Sequence, residues 1–80
     1  MPPTRDDILA IVAEETRLDP ARLQPDATLA ALGVASLDVV SVLFAIEDRF
    51  GVEIPPEALG NARTVEQFTD VIVARLAAGG

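Results

Sequence analysis

Apolar residues recur at the three-to-four spacing of an amphipathic helix in three separate segments, and prolines and glycines divide these segments from one another. The first segment follows Thr4, which suits an N-cap, and is predicted to end near Arg17. Asp6 and Asp7 lie in its opening turn, where the positive end of a helix dipole favours negative charge. Its predicted core residues are Ile8, Ile11 and Val12, with Leu9 beside them.

The other two helical segments have equally clear boundaries. One opens at Ser36 and stops at Gly51, and the other follows Thr64, where Gln67 three residues later completes a capping-box pattern. The apolar contacts expected from the second segment are Leu37, Val40, Leu43, Phe44 and Phe50. Those expected from the third segment are Val65, Phe68, Ile72 and Leu76.

The stretch from residue 18 to residue 35 contains Pro20, Pro25 and Gly33, so it cannot form one continuous element. Asp19 followed by Pro20 is typical of a cap and a first helical position, and residues 28–32 fit a single turn. Leucines recur too regularly for a loose linker, which predicts a loop pinned to the core. These leucines are Leu18, Leu23, Leu29 and Leu32.

Residues 52–54 alternate as a strand would, but two prolines follow and no second strand is available for pairing. We therefore predict an extended connector with Ile54 buried, then a one-turn helix from Pro56 through Leu59, closed by Gly60. The predicted fold class is all-α, a small antiparallel four-helix bundle with three main helices and one short helix. One domain is expected over residues 1–80, with frayed ends at about 1–3 and 77–80.

Charge and composition narrow the possible functions. Thirteen acidic residues against six arginines give a net charge of -7 on 80 residues, which would repel a nucleic-acid backbone and favours a basic protein partner. The chain has no cysteine and no histidine, so it lacks the commonest general base and metal ligand. Its acidic pairs are adjacent in sequence and splay apart on a helix surface, so no metal site is expected. An autonomous enzyme is not expected either.

The location of the protein is predicted from its apolar stretches. No positively charged and apolar leader opens the sequence. The longest uncharged stretch, residues 27–37, is interrupted by Gly33 and is too short to cross a bilayer. We therefore expect a cytoplasmic monomer without a membrane span.

The most informative segment is Leu32-Gly33-Val34-Ala35-Ser36-Leu37-Asp38, in which a glycine turn delivers a serine to the first position of an amphipathic helix. The simplest interpretation is that Ser36 is an N-cap, a role worth about 0.5 to 2 kcal/mol. A second interpretation is that its hydroxyl is a site of covalent attachment. A phosphodiester on Ser36 would lie at the positive end of the helix dipole, near backbone N–H groups without partners.

This segment resembles the leucine-glycine-x-aspartate-serine-leucine-aspartate attachment motif of acyl carrier proteins. The resemblance continues through residues 44–55, from Phe44 to Pro55, and the helix order and length extend it over nearly the whole chain. It implies that a phosphopantetheinyl transferase attaches 4'-phosphopantetheine from coenzyme A to Ser36. The arm would carry acyl groups as thioesters for fatty acid, polyketide or related assembly. Two alternatives stay open: a peptidyl or aminoacyl carrier protein, and a non-carrier helical scaffold that binds partners without an arm.

The chain departs from the family motif at one position beside the serine. Ala35 stands where the family usually has aspartate. That aspartate can cap the helix, and the resemblance implies that it also helps the transferase hold its magnesium. Alanine can do neither, so a transferase of broader specificity, or a dedicated one, is expected.

Negative charge is concentrated between Ser36 and Gly60, where five acidic residues oppose only Arg49. A partner enzyme with a basic patch would be steered to this region, and the resemblance implies that such partners are acyl-transfer and condensing enzymes. An ordinary solvated helix face explains the charges as well. The candidate docking residues are Leu37, Asp38, Val40, Phe44, Glu47, Asp48, Glu53 and Glu57.

A further set of apolar residues is a candidate lining for a cleft between the second and third helices. A short acyl chain folded into it would gain about 0.8 kcal/mol for each buried methylene. Core packing explains the same residues equally well. The candidate cleft residues are Val40, Phe44, Ile54, Ala58 and Leu59.

Overall fold

Three α-helices and two single-turn 3-10 helices make up the secondary structure in residues 3–79, the part of the chain that the computed structural model describes. The α-helices are α1 (Arg5–Thr16), α2 (Ser36–Phe50) and α3 (Val65–Ala77). The 3-10 helices span Pro20–Arg22 and Pro56–Leu59. The prediction of an all-α fold with three main helices is confirmed, and the predicted short helix at Pro56 is present.

The predicted capping box is present at the start of α3, and Thr4, the predicted N-cap of α1, is part of a capping box as well. The Asp7 N–H donates to Thr4 Oγ1 at 3.3 Å, and the Thr4 N–H donates to Asp7 Oδ2 at 2.8 Å. At α3, the Gln67 N–H donates to Thr64 Oγ1 at 3.2 Å, and Gln67 Oε1 accepts from the Thr64 N–H at 3.3 Å. These reciprocal bonds satisfy amides that an uncapped helix would leave without partners.

The buried core draws on all three α-helices, and Ile8, Ile46 and Ile72 are fully enclosed at its centre. Ile54 is 3% exposed, so the prediction that the connector after α2 buries this residue is confirmed. The other buried apolar residues are Ile11, Val12, Ala13, Leu23, Val42, Leu43, Val65, Phe68 and Leu76.

The predicted core face of α2 is wrong in part. Leu37 is 81% exposed and Phe44 is 65% exposed, whereas Val42 and Ile46 are buried. Nine residues separate Leu37 from Ile46, which is about two and a half turns of helix, so their side chains lie on opposite faces. Both faces of α2 are apolar, and spacing alone does not show which one the other helices cover.

Backbone hydrogen bonds attach the long loop to the start of α3. The Leu29 N–H donates to the Arg63 carbonyl at 2.8 Å, the Val65 N–H donates to the Ala27 carbonyl at 2.9 Å, and an isolated antiparallel bridge joins Thr28 to Thr64. Leu23 is buried, and the other three leucines of the loop pack against the core while half-buried. The loop before α2 is therefore held in place by backbone hydrogen bonds to the start of α3 and by its leucines, which pack against the core.

At the C-terminal end, Ala77 closes α3, and the Ala78 and Gly79 N–H groups donate to the carbonyls of Ala74 and Leu76. The sequence predicts frayed ends at about residues 1–3 and 77–80. Of these residues, Met1, Pro2 and Gly80 lie outside the described part of the chain. Within the described part, no helix is both long enough and apolar enough to cross a bilayer.

Candidate functional site

Ser36 is exposed and occupies the first helical position of α2. The turn before it is closed by two hydrogen bonds: the Gly33 N–H donates to the Ala30 carbonyl at 3.0 Å, and the Val34 N–H donates to the Leu29 carbonyl at 2.9 Å. Gly33 has a φ of 76°, a left-handed conformation that a side chain would disfavour. The glycine thus allows the turn that brings Ser36 to the helix start.

The N-cap of α2 is Ala35, so the interpretation of Ser36 as the cap is wrong. Ala35 has extended backbone angles, and its carbonyl accepts the first intrahelical bond, from the Val39 N–H at 3.1 Å. The Ser36 hydroxyl has no hydrogen-bond partner among residues 3–79. Helix capping therefore does not account for a serine at this position.

Only half of a capping box is present at α2. The Asp38 carboxylate accepts from the Ala35 N–H at 2.9 Å, but an alanine side chain cannot accept a bond in return. The amides of Ser36, Leu37 and Asp38 consequently have no acceptor in the described part of the chain. Amides of this kind, at the positive end of the helix dipole, suit an anion. A phosphodiester on the Ser36 oxygen fits this surrounding.

Most of the predicted docking residues lie on one surface. Val40, Phe44 and Glu47 follow Ser36 along the same face of α2, and exposed Glu53 and Glu57 face them from the connector and the second 3-10 helix. Leu37 and Asp48 are exposed and extend this surface along α2. Asp38 is the exception, because its carboxylate is engaged at the start of the helix.

An open cleft of about 510 Å³ lies between α2 and the segment from Glu53 to Glu57. The structure brings three of the five predicted cleft residues to its wall: Val40, Phe44 and Ile54. Ala58 and Leu59 are not on the wall, and both pack against the core while half-buried. The remaining lining residues are Leu43, Glu47, Glu53, Pro55, Pro56 and Glu57.

Sequence reasoning missed the prolines and the glutamates of this cleft. Pro55 and Pro56 signal the end of a strand or the start of a helix, and this local signal does not show that they also form a wall. The three glutamates were predicted as docking residues only. Their place at the cleft follows from the fold of the connector, which is anchored by buried Ile54.

Residues 6–72 match the family model described as phosphopantetheine attachment site. The chain is 39% identical over 74 residues to the acyl carrier protein of Thermosynechococcus vestitus, with 91% of both chains covered. It is 47% identical over 68 residues to the acyl carrier protein of Helicobacter pylori strain G27, with 84% of this chain and 83% of that one covered. The chain belongs to the acyl carrier protein family. It is therefore a carrier of acyl groups on a covalently attached 4'-phosphopantetheine arm, as the sequence resemblance implied.

Solved acyl carrier proteins have the same fold. The acetyl form of the actinorhodin acyl carrier protein from Streptomyces coelicolor superposes with a TM-score of 0.75 at 26% identity, covering 100% of this chain and 98% of that one. The oxytetracycline acyl carrier protein superposes with a TM-score of 0.72 at 24% identity, covering 100% of this chain and 88% of that one. The all-α carrier architecture is thus shared along the whole length of the chain.

Proposed function

We propose that Ser36 is the residue that carries the arm. The observation that supports this most is an exposed hydroxyl without a hydrogen-bond partner in the described residues, set beside three helix amides that also have none. During attachment, the Ser36 oxygen forms a bond to phosphorus of coenzyme A and displaces adenosine 3',5'-bisphosphate. The hydroxyl proton passes to a base of the transferase. The new phosphodiester is stabilised by the amides beside it.

Intact mass spectrometry tests this assignment directly. The protein is incubated with coenzyme A and a phosphopantetheinyl transferase of broad specificity, next to the variants Ser36→Ala and Ser41→Ala. Ser41 is exposed on the same helix, so its variant is a matched control. Wild type and Ser41→Ala are expected to gain one phosphopantetheine, and Ser36→Ala none. A modified Ser36→Ala protein, or a wild type left unmodified by several transferases, would refute the assignment.

With the arm attached, this protein is a substrate on which other enzymes act. It does not itself catalyse a reaction. We place it in the cytoplasm as a monomer that carries acyl thioesters for fatty acid, polyketide or related assembly. Its site supports this role because the arm would begin at an exposed position, open to partner enzymes. The arm supplies a terminal thiol, and the chain supplies the anchoring hydroxyl and the surface around it.

The surface next to Ser36 is proposed to dock acyl-transfer and condensing enzymes. It combines exposed apolar side chains, Leu37 and Phe44, with the carboxylates of Glu47, Glu53 and Glu57. Exposed apolar groups supply contact area on binding, and the carboxylates steer a basic patch toward them. The phosphopantetheinyl transferase is expected to approach the same surface, since its target is the serine at one end of it.

The cleft between α2 and the Glu53–Glu57 segment is proposed to hold a short acyl chain. Its apolar wall begins at Val40, one turn beyond Ser36, and continues to Phe44 on the next turn. Ile54, Pro55 and Pro56 form the opposite wall. An acyl chain tethered at Ser36 would therefore meet an apolar surface close to its point of attachment.

A further inference from the structure

All of the polar side chains at the cleft are acidic. Three of its nine lining residues are glutamates: Glu47 on α2, Glu53 on the connector and Glu57 on the second 3-10 helix. The other six lining residues are apolar. The lining thus contains no arginine, no hydroxyl and no amide side chain that could donate a hydrogen bond to an acyl group.

No neighbouring cation neutralises these glutamates in the described part of the chain. None of the three takes part in a salt bridge or a side-chain hydrogen bond within residues 3–79. Arg49 is the arginine nearest in sequence to Glu47 and Glu53, and its guanidinium lies 3.3 Å from Glu14 on α1. An anion in the cleft would therefore meet three like charges next to an apolar wall, where water screens them less than in bulk solvent.

We propose that the cleft sorts acyl groups by charge, an inference that rests on the function proposed above. Acyl groups that end in a methyl group or a hydroxyl enter it. Acyl groups that end in a carboxylate, such as the half-thioesters of dicarboxylic acids, stay in solvent. Neutral chains gain by burial against Val40, Phe44 and Ile54. A carboxylate loses its hydration and meets repulsion, and no side chain of the lining can donate a hydrogen bond to compensate it.

This sorting by charge determines which acyl groups are exposed to solvent when a partner enzyme binds the carrier. A carboxylated acyl group on the free carrier remains exposed and accessible to a partner. A neutral chain is partly withdrawn and must leave the cleft before a partner acts on it. The glutamates at the cleft therefore act as specificity-determining residues, although none of them touches the arm's attachment point.

Butyryl and succinyl groups test the proposal, because each has four carbons and they differ in ending with a methyl group or a carboxylate. Each is joined to the arm through a hydrolysis-resistant amide, and intact mass confirms loading. Nuclear Overhauser contacts from the acyl protons to the Phe44 ring and the Ile54 methyl groups then report entry. The wild-type carrier is expected to show them for butyryl, and at least tenfold more weakly for succinyl.

The triple variant Glu47→Gln, Glu53→Gln, Glu57→Gln removes the charges while keeping the shape of the cleft. It is expected to raise the succinyl contacts at least tenfold relative to the butyryl contacts of the same variant. Asp48→Asn is the matched control, since Asp48 is an exposed acid of α2 that does not line the cleft, and it should change neither.

The possible failures are distinguishable from one another. An arm that cannot be loaded at Ser36 refutes the attachment proposed above. Butyryl protons without contacts to Phe44 and Ile54 refute the cleft as an acyl site, and the sorting with it. Equal contacts for butyryl and succinyl in the wild-type carrier, or a triple variant that still excludes succinyl, refute the sorting alone.

Discussion

Ala35→Asp is expected to stabilise the protein before the arm is attached. The substitution supplies the side-chain acceptor that the N-terminus of α2 lacks, within reach of the Leu37 and Asp38 amides. Replacing alanine by aspartate at an N-cap is worth about 1 kcal/mol. The helix dipole adds about 0.3 to 1 kcal/mol, and repulsion by Asp38 removes about 0.2 to 0.5 kcal/mol. The free energy of unfolding should therefore rise by about 1 kcal/mol.

Urea and thermal unfolding measure this effect, and two further variants identify its cause. A gain of 1 kcal/mol in a domain of this size raises the Tm by about 4 to 8 °C. Ala35→Asn adds an uncharged acceptor and should give most of the gain, whereas Ala35→Val adds volume without an acceptor and should give none. If both Asp and Asn variants unfold at the wild-type midpoint, the amides at the helix start are not free in solution, and the reasoning is refuted.

The same variants give a second measurement after modification. A phosphodiester on Ser36 would interact with the amides that an aspartate at position 35 caps, so the two stabilisations should not add. Attachment of the arm is then expected to raise the Tm of the wild type more than that of Ala35→Asp. Equal increases in the two proteins would show that the phosphodiester does not use these amides.

Three further predictions follow from the burial, charge and hydrogen bonds of single residues. Ile46→Ala should lower the free energy of unfolding in urea by about 2 to 5 kcal/mol, because Ile46 is fully buried. Leu37 is exposed, so Leu37→Ala should change that free energy by at most about 0.5 kcal/mol and should weaken partner binding instead. Charge reversal by Glu53→Lys and Glu57→Lys should lower the association rate with a basic client enzyme, measured by stopped flow, and make that rate less dependent on salt. An unchanged rate would exclude steering by these carboxylates. Thr64→Ala should cost about 1 kcal/mol, since it removes the capping acceptor of α3, and a variant as stable as wild type would contradict that role.

The helices were predictable because residues close in sequence determine where each helix begins and ends. Thr4 and Thr64 cap α1 and α3 through bonds to residues only three positions away, and Gly51 ends α2 with a φ of 69°. Interactions of this range depend little on the rest of the fold. The place of Ser36 at the start of α2 was predictable for the same reason.

The covered face of α2 and the walls of the cleft depend on contacts distant in sequence. Leu37 and Phe44 are as apolar as Ile46, yet Ile46 is fully buried and the other two are exposed, a difference that the pattern along α2 does not show. Likewise, Ala58 packs against the core and does not line the cleft, which its position in the sequence does not show. Periodicity shows which residues share a face, but it does not show what lies against that face.

The cap of α2 was missed for a subtler reason. Serine is among the strongest N-cap residues, and alanine among the weakest, so local preference points to Ser36 as the cap. The backbone places the cap one residue earlier, because the turn closed by Gly33 and Val34 and the bond from the Ala35 N–H to Asp38 set where the helix begins. Among residues 3–79 the serine hydroxyl is thus left without a hydrogen-bond partner, at the expense of helix stability, and this arrangement suits the attachment proposed for Ser36.

The acidic residues of the cleft serve two of the proposed roles at once. Glu47, Glu53 and Glu57 steer a basic partner to the surface beside Ser36, and the same carboxylates exclude an acyl carboxylate from the cleft. A basic patch seated on this surface neutralises the charges on which the exclusion depends. Docking and sorting are therefore coupled: the cleft discriminates by charge most strongly in the free carrier, and a bound partner weakens that discrimination at the moment when it takes over the acyl group.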